Sequence, residues 1–186
     1  MARIELPLVD TMSETDRALY DRFPTNLIRA VLRTSNCTAG YMALGFALLR
    51  NTDLTPKQFE LVILRVAALS ASAYERMQHL APARLAGWSD AEIDAIETGR
   101  KEKLDTVSAA LLTFVDECVR QVRVCDQTFA QLHTHMPENA IADVTLLVGY
   151  YMMTARILET LDVELDEAPC AVLADRDSIE MIAAGP

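Results

Sequence analysis

Between Phe59 and Ala71 the chain reads FELVILRVAALSA, apolar on nearly every side of a helix, which predicts an element buried all round and not one with a wetted face. Thr55-Pro56-Lys57-Gln58 marks its start: a Thr N-cap, a Pro at the first helical position and a Gln able to return the capping hydrogen bond. Similar punctuation divides the rest of the chain. Ser13 with Asp16 opens a short helix to Phe23, stopped by Pro24, and Asn26 to about Thr34 reads as a second. The Ala- and Leu-rich run from about Thr38 to Arg50 is a third. After the apolar helix a break is predicted at Ser70 to Ser72, because Ser72 and Glu75 have the spacing of another capping box. The next helix then runs from Ala73 to Ala86, with Gly87 as its C′ residue. Ser89 with Glu92 caps a helix ending at Gly99, Asp105 starts one to about Val122, and Asp126 a short one to about His135. Pro137 precedes the long run ENAIADVTLLVGYYMMTARILETL. The pattern is all-α, without repeats.

Composition agrees with the pattern. Of 186 residues 51% are hydrophobic and only 6% aromatic, so the core is aliphatic, and six Gly and seven Pro are few for an all-β chain. The length suits one domain, residues 1–186, and the apolar content excludes disorder throughout. Charge narrows the partners. The net charge of -10 argues against nucleic acid and anionic membranes, which need a positive field. From Asp162 onward seven acids face the single base Arg176, so the tail holds -6 of that charge and the body is only mildly acidic. Residues 166–186, with the stretch VLADRDSIEMIAA, read as a final helix or a C-terminal arm. The first ten residues lack the pattern of a signal peptide, and polar residues are expected to break every apolar run before about 18 residues. A cytoplasmic protein is the expectation. Cys37, Cys118, Cys125 and Cys170 form no CxxC and no zinc-type spacing, which suits a reducing compartment.

Two charges interrupt the apolar helix, Glu60 and Arg65, five residues apart and therefore on different faces. Each needs a partner elsewhere or a polar cavity, since an unpaired buried charge costs several kcal/mol, roughly, or is titrated away. Arg65 reads as a structural ion pair or helix-end cap, or as a partner for an anion; Glu60 is either a carboxylate at the helix start or a functional one. His79 follows Glu60 by 19 residues. On one straight helix the two would be about 28 Å apart, so a Glu60/His79 pair requires the break near Ser72 to fold the chain back. His133 and His135 form HxH, but side chains two apart on a helix diverge, and no ligand cluster accompanies them; neither metal nor cofactor is expected. Tyr150 to Met153 point all round their helix and read as core or subunit interface.

The segment from Glu60 to Asp90, ELVILRVAALSASAYERMQHLAPARLAGWSD, resembles the signature of the carboxymuconolactone decarboxylase family, which includes the alkylhydroperoxidase D-like proteins. The order Glu, apolar helix, small residues, Tyr-Glu, three residues, His, Ala-Gly and a Ser-Asp cap carries the match. VGYYMMTARILETLDVELDE, from Val148 to Glu167, is similar to the family's last long helix, and the resemblance spans roughly residues 25 to 167. It implies an all-α alkylhydroperoxidase D-like bundle in homo-oligomers, often trimers or hexamers, with sites near subunit interfaces.

It also implies two chemistries. Peroxidase members carry thiols where this chain has Ser72 and Glu75, and neither can form a disulfide. The decarboxylase branch needs neither thiol nor metal. There a carboxylated unsaturated lactone loses carbon dioxide and a proton is delivered to carbon. The resemblance assigns His79 as proton donor or shuttle and Glu60 as its orienting partner. Arg65 is added as a partner for a substrate carboxylate, with Tyr74, Glu75 and Arg76 as further substrate-binding candidates. Arg76 stands where many relatives carry Trp, and Trp88 where Leu is common, so the substrate differs from carboxymuconolactone if both flank the pocket. The expectation is a cofactor-independent lyase acting on a small anionic lactone or cyclic intermediate of aromatic catabolism. The alternatives are an antioxidant peroxidase with atypical cysteine use and a non-catalytic binding or scaffold oligomer.

Overall fold

The computed structural model describes residues 2–171, and no strand occurs among them. Between Glu14 and Leu161 the chain forms nine α-helices: α1 (Glu14–Arg22), α2 (Asn26–Val31), α3 (Thr38–Asn51), α4 (Pro56–Leu69), α5 (Ala73–Leu85), α6 (Asp90–Thr98), α7 (Thr106–Gln121), α8 (Asp126–His133) and α9 (Glu138–Leu161). Two 3-10 helices not foreseen from the sequence, Val9–Thr11 and Lys101–Lys103, join them. The all-α expectation holds. The stretch VLADRDSIEMIAA lies outside the described residues.

The chain forms two compact units, one of the residues up to Asn51 with those from Arg156 onward, the other of Thr52–Ala155. In the first, the Thr25 side chain caps α2 by accepting from Ile28 N–H, and Asp166 from the acidic tail accepts from Asn26 N–H at 2.8 Å. A carboxylate there also faces the positive end of the helix dipole. Part of the tail's charge thus has a structural use. Arg29 and Arg33 hold the N-terminal segment by donating to the Pro7 and Glu5 carbonyls.

The second unit is built round α4, which packs against α5, α6 and α7. All nine residues from Phe59 to Ala67 are buried. Each of Phe59, Leu61, Val62, Ile63, Leu64 and Val66 contributes roughly 1.5–3 kcal/mol of apolar burial. The capping box at its start forms in full: Thr55 Oγ1 accepts from Gln58 N–H, and Gln58 Oε1 accepts from Thr55 N–H at 2.9 Å.

The end of α4 places the site. Ser72 N–H bonds to the Ala67 carbonyl and Ala71 N–H to the Ala68 carbonyl, the reciprocal pair of a Schellman motif. That motif requires a left-handed residue, and Ala71 supplies it at φ 53° in place of the usual Gly. The chain reverses there, and α5 begins at once. The second capping box does not form. Ser72 is the N-cap residue of α5, but its side chain makes no capping bond and its Oγ is buried without a hydrogen-bond partner. Glu75 is buried as well, 3% exposed, where a capping carboxylate would normally meet water.

The long helix α9 also differs from expectation. By length and composition it is apolar enough to cross a membrane, with half of its most apolar window buried within the chain. Its buried residues Ile141, Val144, Val148, Tyr151, Ala155 and Leu158 recur every three or four positions, the stripe of a helix packed on one side.

Candidate active site

Glu60 lies on the second turn of α4 and His79 on the second turn of α5. The Ala71 reversal brings them together: His79 Nδ1 is 2.9 Å from Glu60 Oε2, with both side chains buried. The break inferred from sequence is therefore the feature that makes the pair, as expected. An ionised carboxylate only accepts, so opposite it Nδ1 carries the ring proton. The other ring nitrogen is also engaged. Tyr151 from α9 places its hydroxyl 3.1 Å from His79 Nε2, and its ring meets the imidazole edge-on at 5.2 Å and 81°. A neutral ring accepts there from the phenol O–H; a protonated ring donates to the phenol oxygen. Glu60, His79 and Tyr151 form one buried line of hydrogen bonds from three helices.

The other candidate residues take different places. Arg65 is as buried as Glu60, 4% exposed in each case. Its Nε and Nη2 donate to the two carboxylate oxygens of Asp116 on α7, and Nη1 donates to the Ile96 and Glu97 carbonyls at 3.1 and 2.8 Å. It is ion pair and cap of the α6 C-terminus at once, which are the two structural roles the sequence left open. As a partner for a substrate anion it is corrected: its donors are already spent on Asp116 and on carbonyls. Gly99, the αL residue that ends α6, leaves room for this guanidinium; a Cβ there would lie 2.7 Å from Arg65 Nη2. Arg76 is exposed and forms a two-point pair with Glu97 at 2.5 and 3.2 Å. Trp88 is buried, donates from Nε1 to the Lys57 carbonyl and carries the Lys57 ammonium over its ring, so it ties the approach to α6 onto the start of α4.

Tyr74, Glu75, Gln78 and His79 are all buried on α5. With Ser72 they make a polar stripe on a helix whose hidden face would ordinarily be apolar. Burying so much polarity is costly unless the groups are hydrogen-bonded or paired, and a buried polar cluster of this kind is a candidate functional site.

Thiols and metal ligands lie elsewhere. Cys37, Cys118 and Cys125 are free thiols; burial pushes the Cys118 thiol up from its ordinary range, and Cys125 Sγ sits 3.4 Å from Thr128 Oγ1. Among the described residues no three His, Cys, Asp or Glu side chains converge as a metal site. His133 stacks on Phe129 and lies 3.9 Å from Glu138. A cleft of about 640 Å³ between the Lys101–Lys103 turn, α7 and α8 is lined by Thr113, Glu117, Cys125 and Thr128 among others, and contains none of the candidate site residues.

Sequence reasoning missed Tyr151 and Asp116. Tyr151 carried a usable signal, because it falls on the buried stripe of α9 and a buried Tyr hydroxyl usually has a partner. Asp116 lies in no motif and carried none.

Comparison with known proteins bears on the fold. Residues 37–102 match the model of the Carboxymuconolactone decarboxylase family, a stretch that includes Glu60 and His79 but not the α9 segment. No curated protein matches the chain. Among solved structures, an uncharacterized peroxidase-related protein with the alkylhydroperoxidase AhpD core from Ralstonia eutropha JMP134 is similar at TM-score 0.77 and 15% identity, covering 100% of this chain and 98% of that one. A peroxidase-related protein from Silicibacter sp. TM1040 gives TM-score 0.76 at 16% identity over 89% and 92%. The debrominase Bmp8, as a cysteine-to-alanine variant in complex with 2,3,4-tribromopyrrole, gives 0.67 at 12% identity over 95% and 97%. At these identities the structures speak for the fold alone. Residues 37–102, with the Glu60–His79 pair at their centre, thus match the Carboxymuconolactone decarboxylase family model, in a chain whose described residues have an AhpD-like all-α fold.

Proposed function

We propose that the protein is a cofactor-independent lyase, and that Glu60 and His79 transfer the proton in decarboxylation of a small carboxylated lactone or cyclic intermediate of aromatic catabolism. The observation that carries this reading is the buried 2.9 Å contact between His79 Nδ1 and Glu60 Oε2. In the reaction the C–C bond to the carboxylate breaks and carbon dioxide leaves. The electron pair moves into a dienolate toward the lactone carbonyl, and one proton is added at carbon. Glu60 fixes the ring orientation and stabilises the imidazolium when it forms; His79 holds the proton that is delivered. Tyr74 and Glu75, buried on the same helix, serve substrate binding, and the chain works as a homo-oligomer, a trimer or hexamer.

A thiol peroxidase is the weaker reading for this site. Both ring nitrogens of His79 are engaged by oxygen groups, and Ser72 and Glu75 hold the positions where the family's peroxidase members place thiols. The test is turnover of a panel of carboxylated lactones by the wild type and by His79→Ala, with size measured by chromatography. The reading expects turnover in the wild type and its loss, by about 10²–10⁴-fold, in a variant that keeps its assembly. No turnover on the panel by the wild type, or turnover untouched by the substitution, overturns it.

A further inference from the structure

Both nitrogens of His79 are occupied in a site with almost no solvent contact. Nδ1 faces Glu60 Oε2 at 2.9 Å and Nε2 faces the Tyr151 hydroxyl at 3.1 Å, while His79 and Tyr151 are 3% and 8% exposed. A proton held on the imidazole therefore has two exits. One leads to the Glu60 carboxylate, a dead end buried at 4% exposure; the other leads to a phenol oxygen, which can accept one proton while giving up another.

We propose that Tyr151 is a proton-relaying residue that acts through His79. The proposal rests on the proton-transfer reading of the Glu60–His79 pair for its purpose, though its geometry stands by itself. In the forward step the Nε2 proton of the imidazolium passes to the Tyr151 oxygen as the phenol's own proton leaves for the carbon acceptor. The imidazolium becomes a neutral Nδ1–H imidazole still bonded to Glu60, Tyr151 ends as a neutral phenol, and the acceptor gains one proton. Recharging takes a proton from water by the same route in reverse. The two-helix pair is in this way extended to a third helix, α9, and the hydroxyl has a role that packing alone does not need. Phenylalanine would preserve the edge-on ring contact with His79 without joining the relay.

That difference makes the test direct. The chain has three histidines, and His133 and His135 are exposed, so protein labelled with ¹⁵N-histidine gives one buried imidazole to follow. The measurement is the rate of proton exchange at His79 Nε2, read from the ¹⁵N line shape of that nitrogen across the imidazole–imidazolium change, in wild type and in Tyr151→Phe, with the melting temperature as a check on folding. A relay predicts exchange slowed at least about tenfold in Tyr151→Phe, and a wild-type ring in the Nδ1–H tautomer. A tyrosine that only packs over the ring predicts equal or faster exchange once the hydroxyl is gone, and that result overturns the proposal. If Tyr151→Phe does not fold, difluorotyrosine placed at position 151 replaces it. A more acidic phenol should then change the exchange rate severalfold, and an unchanged rate overturns the relay. Turnover of carboxylated lactones separates the two claims. A wild type without turnover but with hydroxyl-dependent exchange keeps the relay and loses the lyase; turnover indifferent to Tyr151→Phe keeps the lyase and overturns the relay.

Discussion

Two buried charges sit five residues apart on α4, equally hidden, and are satisfied in opposite ways. Arg65 meets a permanent counter-charge, Asp116, and two carbonyls, so its guanidinium is fixed and nothing about it can change state. Glu60 meets a histidine, whose proton can move, and that histidine meets a phenol, which can pass the proton on. One end of the helix is built as scaffold. The other is built from groups that ionise. The difference teaches that burial of a charge does not by itself mark a site; the nature of the partner does.

The comparison can be broken from either end. Asp116→Ala leaves the Arg65 charge buried with only carbonyls to face. It should destabilise the protein by about 3 kcal/mol and lower the melting temperature by roughly 6–12 °C, while residual folded protein keeps its specific activity. Glu60→Gln should do the reverse, because an amide oxygen still accepts from Nδ1–H: a stability change of about 1 kcal/mol or less, with turnover down about tenfold or more. Thermal melts and specific activities on the same samples decide it, and a common loss of both properties in both variants would erase the distinction.

Smaller changes sharpen the scaffold end. Gly99→Ala forces a side chain into a left-handed residue at φ 76° and against the Arg65 guanidinium, so a loss of about 2 kcal/mol is expected in chemical denaturation, with activity per folded molecule retained. Ala71→Gly acts oppositely, relieving the left-handed alanine in the α4–α5 reversal, and should raise stability by about 1 kcal/mol. No gain there would mean that the reversal is unstrained.

Much of this was legible beforehand. The Thr55, Ser89 and Asp105 caps and the break after α4 follow from local signals, because caps and reversals are written in residues three or four apart; the Glu60/His79 meeting was legible only as something that break would permit. Two kinds of information were not local. Asp116 and Tyr151 lie 51 and 72 residues from the side chains they meet, and only packing brings them there. Ser72 shows the same limit from the other side. Its S-x-x-E spacing is that of Ser89 and Glu92, yet Ser89 is exposed and caps, while Ser72 is buried and does not. Spacing identifies which bond is available; burial decides which is made. The family resemblance located the site segment, and geometry then removed Arg65 from it.

Proton transfer by His79 is the claim on which the rest depends, and its most direct measurement is deuterium incorporation. A carboxylated unsaturated lactone turned over in D₂O should give product carrying one deuterium at the protonated carbon, formed by the wild type and lost by about 10²–10⁴-fold in His79→Ala of equal melting temperature. Deuterated product formed at the same rate by both proteins would contradict the account.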